Sequence, residues 1–119
     1  MRIAVATDRD FVADHFGCAP ACTIFEVEDG VVRELLVLPN PGFPHAFWGE
    51  LFVRNSVTAV VAGTMGQLNQ SILKGWNIQV ILGVSGSIDD LLERVVLEGI
   101  QTMAAAAEGT AMIPAACCC

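Results

Sequence analysis

Two segments of the chain share one pattern, in which a short apolar run leads through a glycine-containing turn into an amphipathic helix. The first run, residues 58–62, is followed by Gly63-Thr-Met-Gly66, and the second, residues 78–82, by Gly83-Val-Ser-Gly86. Runs of this length bounded by glycine turns are typical of buried strands. A strand that returns through a helix to the same sheet lies parallel to its predecessor with a right-handed crossover. The pattern therefore predicts an α/β fold.

The first forty residues predict an antiparallel addition to this parallel core. Residues 3–7 are short, apolar and β-branched, which indicates another buried strand. Residues 22–28 and 31–38 predict a hairpin, because Asp29-Gly30 between them is a favoured two-residue turn. The proline-rich segment 39–44 then breaks regular structure. We expect a mixed sheet of five strands.

Three helices are expected. Residues 46–55 and 67–74 each place apolar side chains on one side. A third helix opens at Ser87, a good N-cap with Asp90 three residues later, and Gly99 ends or loosens it. Residues 103–107 are also helix-prone.

Size and charge limit what the protein can do. The chain has 119 residues, of which 54% are hydrophobic, and a formal net charge of −7. We expect one α/β domain over residues 1–108 and a flexible tail over residues 109–119.

The acidic net charge argues against broad contacts with nucleic acid or with anionic membranes. The sequence shows neither a signal peptide nor a membrane-spanning run, so we expect a cytoplasmic protein.

The two glycine turns are the strongest local indication of a binding site. Glycine allows close approach to a ligand, and the following helix N-terminus presents free N–H groups to an anion. The loop after Asp8 leaves the first strand at the same predicted edge of the sheet. A shared anion pocket and ordinary strand-to-helix turns are the two interpretations. Neither turn is a P-loop or a GxGxxG motif.

Candidate side chains lie in the loops beside these turns. His15 and His45 are the only histidines, and Cys18 lies three residues beyond His15, where it could be a soft-metal ligand. For the histidines the alternative is a surface or packing role. Met65, within the first glycine turn, could be a thioether ligand, although an apolar wall is the favoured interpretation.

The five cysteines follow no zinc-binding spacing. For Cys18 and Cys22 the alternative to metal binding is a small buried hydrophobe. The last three residues, Cys117, Cys118 and Cys119, could bind a soft metal or form an exposed, oxidisable tail. No nucleophile, base and acid combine into a catalytic set, so we expect no enzymatic activity.

A resemblance brings several of these motifs together. In order along the chain they resemble the dinitrogenase iron–molybdenum cofactor biosynthesis family, whose members include cofactor carriers and the orange protein of sulfate-reducing bacteria. The resemblance covers about residues 1–105 and rests on Ile3–Asp8, His15-Phe16-Gly17, Thr23–Gly30, Asn40-Pro41, His45, Ala62-Gly63-x-x-Gly66 and Gly83-Val-Ser-Gly86.

The resemblance implies a ribonuclease H-like fold, with a five-stranded mixed sheet flanked by helices, and a non-enzymatic role. Such a protein would carry an anionic molybdenum-containing cluster, either molybdenum–copper sulfide or iron–molybdenum cofactor-type, to or from a partner protein. A regulatory module without its own cofactor and a thiol redox protein using the cysteine tail are the alternatives. The candidate cofactor-binding residues are His15, Phe16, Gly17, Gly63, Thr64, Met65, Gly66, Gly83, Ser85 and Gly86, with Cys18 and His45 as candidate metal ligands.

Overall fold

A mixed β-sheet with helices on both faces forms the protein. The computed structural model describes residues 1–40, 42 and 45–100, with the side chains of residues 45 and 46 outside the description. The strands run in the order β4-β3-β1-β5-β6, and β2 pairs with β1. The elements are β1 (Arg2–Asp8), β2 (Phe11–Val12), β3 (Ala21–Glu28), β4 (Val31–Pro39), α1 (His45–Arg54), β5 (Val57–Val61), α2 (Gln67–Gly75), β6 (Gln79–Ile81) and α3 (Ile88–Glu98).

The strand directions agree with the sequence prediction. β1 is parallel to β5, and β5 is parallel to β6. On the other side β1 is antiparallel to β3, which forms a hairpin with β4. Asp29 and Gly30 both have positive φ, at 52° and 77°. Positive φ at both central residues is what a tight hairpin turn requires, and this explains the Asp-Gly pair.

A sixth strand lies in the segment that the sequence predicted to be a loop. β2 is two residues long and pairs Val12 with Thr7 and Phe11 with Asp8. Arg9 makes the sharp reversal between β1 and β2 with a φ of 57°. Since only pairing with β1 makes these residues a strand, local sequence carries little indication of it. The expected count of five strands therefore omits β2.

The two faces of the sheet carry separate cores, because successive side chains of a strand point to opposite faces. Ile3 and Val5 of β1 pack on the α3 side, in one buried cluster with Leu91 and Val95 of that helix. Ala4 and Ala6 face α1 and α2, where a second cluster holds Phe16, Trp48, Phe52, Met65 and Leu73.

The helix boundaries lie within one or two residues of their predicted positions. The Ser87 hydroxyl accepts a hydrogen bond from the Asp90 N–H at 3.1 Å, which confirms Ser87 as the N-cap of α3. α3 ends at Glu98, and Gly99 follows with a φ of 83°. The helix-prone residues 103–107 and the tail 109–119 lie outside the described residues, and so does the expected domain boundary at 108.

Candidate functional site

The segment 10–16 runs across the carboxyl ends of β1, β5 and β6 and joins both glycine turns. The Phe16 N–H donates to the Thr64 carbonyl at 2.8 Å, so the segment contacts the first turn. The Val12 N–H donates to the Gly86 carbonyl at 2.9 Å, so it also contacts the second. Three loops that are far apart in sequence therefore meet at one edge of the sheet, as the strand order requires.

The first glycine turn is packed directly against this segment. The Gly63 N–H donates to the Ala13 carbonyl at 3.1 Å, and the Thr64 hydroxyl donates to the Asp14 carbonyl at 2.8 Å. A Cβ atom at Gly63 would lie 2.6 Å from the Asp14 carbonyl oxygen. Only glycine allows that approach, so Gly63 determines how closely the residues before His15 lie against β5.

The second glycine turn requires glycine for a different reason. Gly83 and Gly86 have φ values of 78° and 99°, which side chains strongly disfavour. A Cβ atom at Gly86 would have nothing within 4 Å. Gly83, Ser85 and Gly86 are all exposed. This turn therefore presents open backbone at the edge of the sheet.

His15 is held in one orientation by the turn that follows it. Its Nδ1 atom accepts a hydrogen bond from the Gly17 N–H at 3.1 Å, so the proton of a neutral ring lies on Nε2. The residue is 8% exposed, and burial lowers the pKa of His15 below its ordinary value. Nε2 is buried and has no hydrogen-bond partner among the described residues. His15 thus offers an unused N–H donor.

Asn40 stabilises the same turn from the end of β4. Its side-chain amide donates to the Ala19 carbonyl at 2.8 Å, and its Oδ1 accepts from the Gly42 N–H at 3.1 Å. Its backbone N–H donates to the Pro20 carbonyl at 3.0 Å. Sequence reasoning used Asn40 only as part of the family resemblance. An asparagine directly before a proline at a strand end is a local indication of the turn with Gly42, but not of the contacts with Ala19 and Pro20.

Phe16 and Met65 belong to the core. Phe16 is 2% exposed and Met65 0% exposed. The Phe16 ring lies 5.6 Å from the Trp48 ring in an edge-to-face arrangement. For Met65 this agrees with the favoured interpretation of an apolar wall. Both side chains pack in the core behind the site.

Cys18 and His45 do not form a metal site with other described side chains. Cys18 is exposed in the short 3-10 turn Phe16–Cys18, and His45 begins α1, with its side chain outside the description. In the part of the chain that the structure describes, no three His, Cys, Asp or Glu side chains gather around a possible metal position. Metal ligation by these two residues stays a prediction.

The remaining cysteines divide into one buried thiol and three residues outside the description. Cys22 is buried, and burial raises its pKa far above the ordinary value of a thiol. It is therefore a neutral core side chain, which is the alternative given for it above. Cys117, Cys118 and Cys119 lie outside the described residues.

The two helices that follow the glycine turns begin differently. At α3 the Ser87 hydroxyl accepts a hydrogen bond from the Asp90 N–H, whereas the N-cap residue of α2 is Gly66, which has no side chain to do so. Gly66 has an ordinary φ of −61°, and its missing Cβ faces open space. Gly66 therefore supplies no side-chain cap to the N–H groups at the start of α2.

Sequence comparison places most of the chain in one family. A family model described as "Dinitrogenase iron-molybdenum cofactor" matches residues 1–99. No curated protein gives a significant match. Within the described residues, none of the helices has the length and apolar character that a membrane crossing requires.

Solved structures share the fold at low sequence identity. The crystal structure of a protein designated PH0822 has a TM-score of 0.73 at 22% identity, over 81% of this chain and 88% of that one. A protein provisionally described as a dinitrogenase, from Methanocaldococcus jannaschii, has a TM-score of 0.70 at 16% identity, over 83% and 90%. The apo form of the orange protein from Desulfovibrio gigas has a TM-score of 0.66 at 16% identity, over 82% and 88%. These likenesses establish the α/β fold.

Proposed function

The chain belongs to the dinitrogenase iron-molybdenum cofactor family, and from this premise we propose that it carries a metal–sulfur cluster related to that cofactor. The matched residues, 1–99, include the segment 10–16 and both glycine turns. The protein would act by binding the cluster and passing it to a partner, without catalysing a reaction. The ribonuclease H-like classification, which the resemblance implies, belongs to the same proposal.

The observation that carries the proposal is the unused N–H of His15. Nearly all buried polar groups in folded proteins have hydrogen-bond partners. His15 Nε2 has none among the described residues, although the ring is held firmly by the Gly17 N–H. Leaving such a donor unpaired costs about 1–3 kcal/mol. A sulfide of a bound cluster would accept this hydrogen bond, since it is a soft anionic acceptor.

The orientation of the ring favours hydrogen bonding over direct metal ligation. A histidine that binds a metal through Nε2 normally donates its Nδ1–H to a neighbouring acceptor. Here Nδ1 is itself an acceptor, because the Gly17 N–H points at it. Ligation through Nε2 would require the His15–Gly17 hydrogen bond to break. We therefore assign His15 the role of donor to the cluster.

Access to this donor requires local opening. Nε2 is covered by surrounding atoms, so a cluster would reach it only after those atoms move apart. The unpaired donor destabilises the covered form, and this lowers the free energy needed for opening. A carrier benefits from this arrangement, because the site closes when it is empty.

The negative charge of the protein is compatible with an anionic cargo of small size. A compact anion is held by nearby dipoles more than by net charge, which is −7 here. The uncapped start of α2 at Gly66 supplies backbone N–H groups and the positive end of a helix dipole. The open turn from Gly83 to Gly86 would line the other side. Both cluster types named above, molybdenum–copper sulfide and iron–molybdenum cofactor-type, are anionic.

Reconstitution tests the proposal directly. The protein is incubated with tetrathiomolybdate and Cu(I), or with iron, sulfide and molybdate, and then separated from small molecules by gel filtration. We expect visible absorbance to elute with the wild-type protein and with the surface control Arg94→Ala, for at least one cluster type. Absorbance that is removed completely from both proteins under both conditions would contradict the carrier function.

Two substitutions of His15 distinguish a donor from a ligand. His15→Gln keeps an N–H donor near the same position, whereas His15→Ala removes it. If His15 donates a hydrogen bond, we expect cluster retention to fall in the order wild type, Gln variant, Ala variant. Equal loss in both variants would indicate metal ligation, and unchanged retention in both would remove His15 from the site.

A further inference from the structure

A cavity opens on the α3 face of the sheet, on the side opposite Phe16 and Met65. It encloses about 310 Å³, which is at the lower end of the range for small-molecule sites. Its polar lining includes Thr7 and Thr23, which are only 6% and 5% exposed. Apolar lining comes from Phe25 and from the α3 side chain Leu92. The cavity thus combines buried hydroxyl groups with an apolar wall.

The two threonine hydroxyls form one hydrogen bond with each other, which leaves one of their two hydroxyl hydrogens available to a further acceptor. Their Oγ1 atoms lie 3.1 Å apart, so one hydroxyl donates to the other. Each hydroxyl has one O–H, and a single contact uses only one of the two. The second O–H has no acceptor among the described residues. Because both residues line the cavity, an oxygen atom of a ligand placed there would accept this hydrogen.

The charges around the cavity favour a cation. Of its charged lining residues, Asp10, Glu34 and Asp89 carry carboxylates, whereas Arg9 carries a guanidinium. The net charge of the cavity lining is therefore negative, as is the net charge of the whole protein. An ammonium group would therefore meet a lining of net negative charge, with three carboxylates and one guanidinium, and a carboxylate would be repelled by it.

We propose that this cavity binds a small organic cation, an amine that carries a hydroxyl or carbonyl oxygen on a short apolar stem. The oxygen accepts from the Thr7–Thr23 pair, the stem contacts Phe25 and Leu92, and the amine lies among the carboxylates. The cavity uses neither His15 nor Gly66, but its lining residues Asp10 and Ser87 adjoin the edge of the sheet where the cluster is proposed to bind.

Four probes of similar length test each part of the proposal on the full chain. 4-Aminobutan-1-ol has both groups, pentylamine lacks the oxygen, pentan-1-ol lacks the amine, and 5-hydroxypentanoate reverses the charge. Each is titrated while NMR follows the methyl signals of Thr7 and Thr23. We expect 4-aminobutan-1-ol to bind with a dissociation constant on the order of 1–10 mM, because so small a ligand makes few contacts. Pentylamine and pentan-1-ol should bind at least about threefold more weakly, and 5-hydroxypentanoate should not bind.

Substitution of both threonines separates binding from folding. The double variant Thr7→Val with Thr23→Val keeps the shape of both side chains and removes both hydroxyls. We expect its urea midpoint to equal or exceed that of the wild type, since a donor without an acceptor disappears. In this variant 4-aminobutan-1-ol should bind no better than pentylamine. Glu34→Gln should weaken both amines and leave pentan-1-ol unchanged.

Three results would overturn the proposal. The first is that no probe shifts the Thr7 or Thr23 signals at 50 mM. That concentration is on the order of five times the upper limit of the dissociation constant expected for 4-aminobutan-1-ol. The second is that 5-hydroxypentanoate binds as well as the amines. The third is a double valine variant that unfolds at clearly lower urea while its preference for 4-aminobutan-1-ol persists. That result would mean that the threonine pair stabilises the sheet and does not select a ligand.

Discussion

The two glycine turns follow equivalent strands, yet they use glycine for different purposes. At the first turn, Gly63 has no room for a side chain, because the Asp14 carbonyl oxygen occupies the position. At the second, Gly86 has ample room but a φ of 99° that other residues avoid. The first turn is packed and holds the His15 segment, whereas the second is exposed and shaped by its own backbone.

The difference shows that one sequence pattern can encode two kinds of constraint. A packed glycine transmits any disturbance to its neighbours, since the segment against it must move. A glycine with positive φ in open space affects mainly its own turn. Substitutions at the two turns should therefore have separable effects on stability and on the environment of His15.

The largest effect is expected at Gly63. In Gly63→Ala the new methyl group meets backbone at 2.6 Å, so the segment before His15 must shift. We expect a loss of about 3 kcal/mol in the free energy of unfolding, measured with urea, because overpacking against backbone is poorly relieved. The NMR signals of His15 and Gly17 should move as well. Gly66→Ala is the matched control, where the methyl group has open space and only the less favourable N-cap predicts a smaller loss of about 0.5–1 kcal/mol. Equal losses at the two positions would contradict the packed role of Gly63.

A smaller and more local effect is expected at Gly86. Gly86→Ala introduces no clash but forces alanine to a φ of 99°. We expect a loss of about 1–2 kcal/mol from backbone strain. The amide signals of residues 83–88 should change while those of His15 and Gly17 stay in place. A shift at Gly17 as large as that in Gly63→Ala would show that the two turns are coupled.

The pH dependence of the free energy of unfolding should show that the His15 ring is buried in its neutral form. Burial lowers the pKa of His15 in the folded protein, so the unfolded chain, with an ordinary value of 6.5, takes up a proton first as pH falls. The stability that the neutral ring contributes is fully present above the unfolded pKa of 6.5. It is lost as the pH falls from 6.5 toward the lower pKa of the folded protein. Urea unfolding of wild type and His15→Gln between pH 7.5 and 5 should show a steeper decline in the wild type. Parallel curves would contradict the burial of a neutral ring.

The smallest effect on stability is expected where the two helices differ. Gly66→Ser would give α2 the kind of cap that Ser87 gives α3. We expect a gain of a few tenths of a kcal/mol, since serine is only slightly better than glycine at this position. If the start of α2 holds the cluster, the same variant should retain less of it after gel filtration. Unchanged retention would place the cluster away from α2.

The sequence predicts the strands better than the loops, for a physical reason. β1 and β5 are buried on both faces, so their residues form continuous apolar runs that are visible without any structure. β2 has no such run, because its two residues become a strand only through pairing with Thr7 and Asp8. Interactions that depend on distant partners leave little trace in a local pattern.

In the candidate site, too, the sequence indicates some features and not others. The sequence could indicate that His15 and the glycine turns meet, since parallel strands end at one edge of a sheet. It could not indicate that Phe16 faces the core, because an aromatic residue beside a histidine suits a site or a core equally well. The role of Asn40 was also hidden, since its partners Ala19 and Pro20 lie about twenty residues earlier.

The hydrogen bonds that join the segment 10–16 to the glycine turns also affect the order in which the protein assembles. That segment is made early and pairs at once with β1, but its hydrogen bonds to the glycine turns and to the start of α3 need Thr64, Gly86 and Ile88. During synthesis the segment 10–16 cannot make these hydrogen bonds at once. The residues that provide the partner groups lie about fifty to seventy-five positions later and must first leave the ribosome. A partly synthesised chain therefore has the His-Phe-Gly motif without the site. The proposed cluster site would therefore form only once the parallel strands are in place.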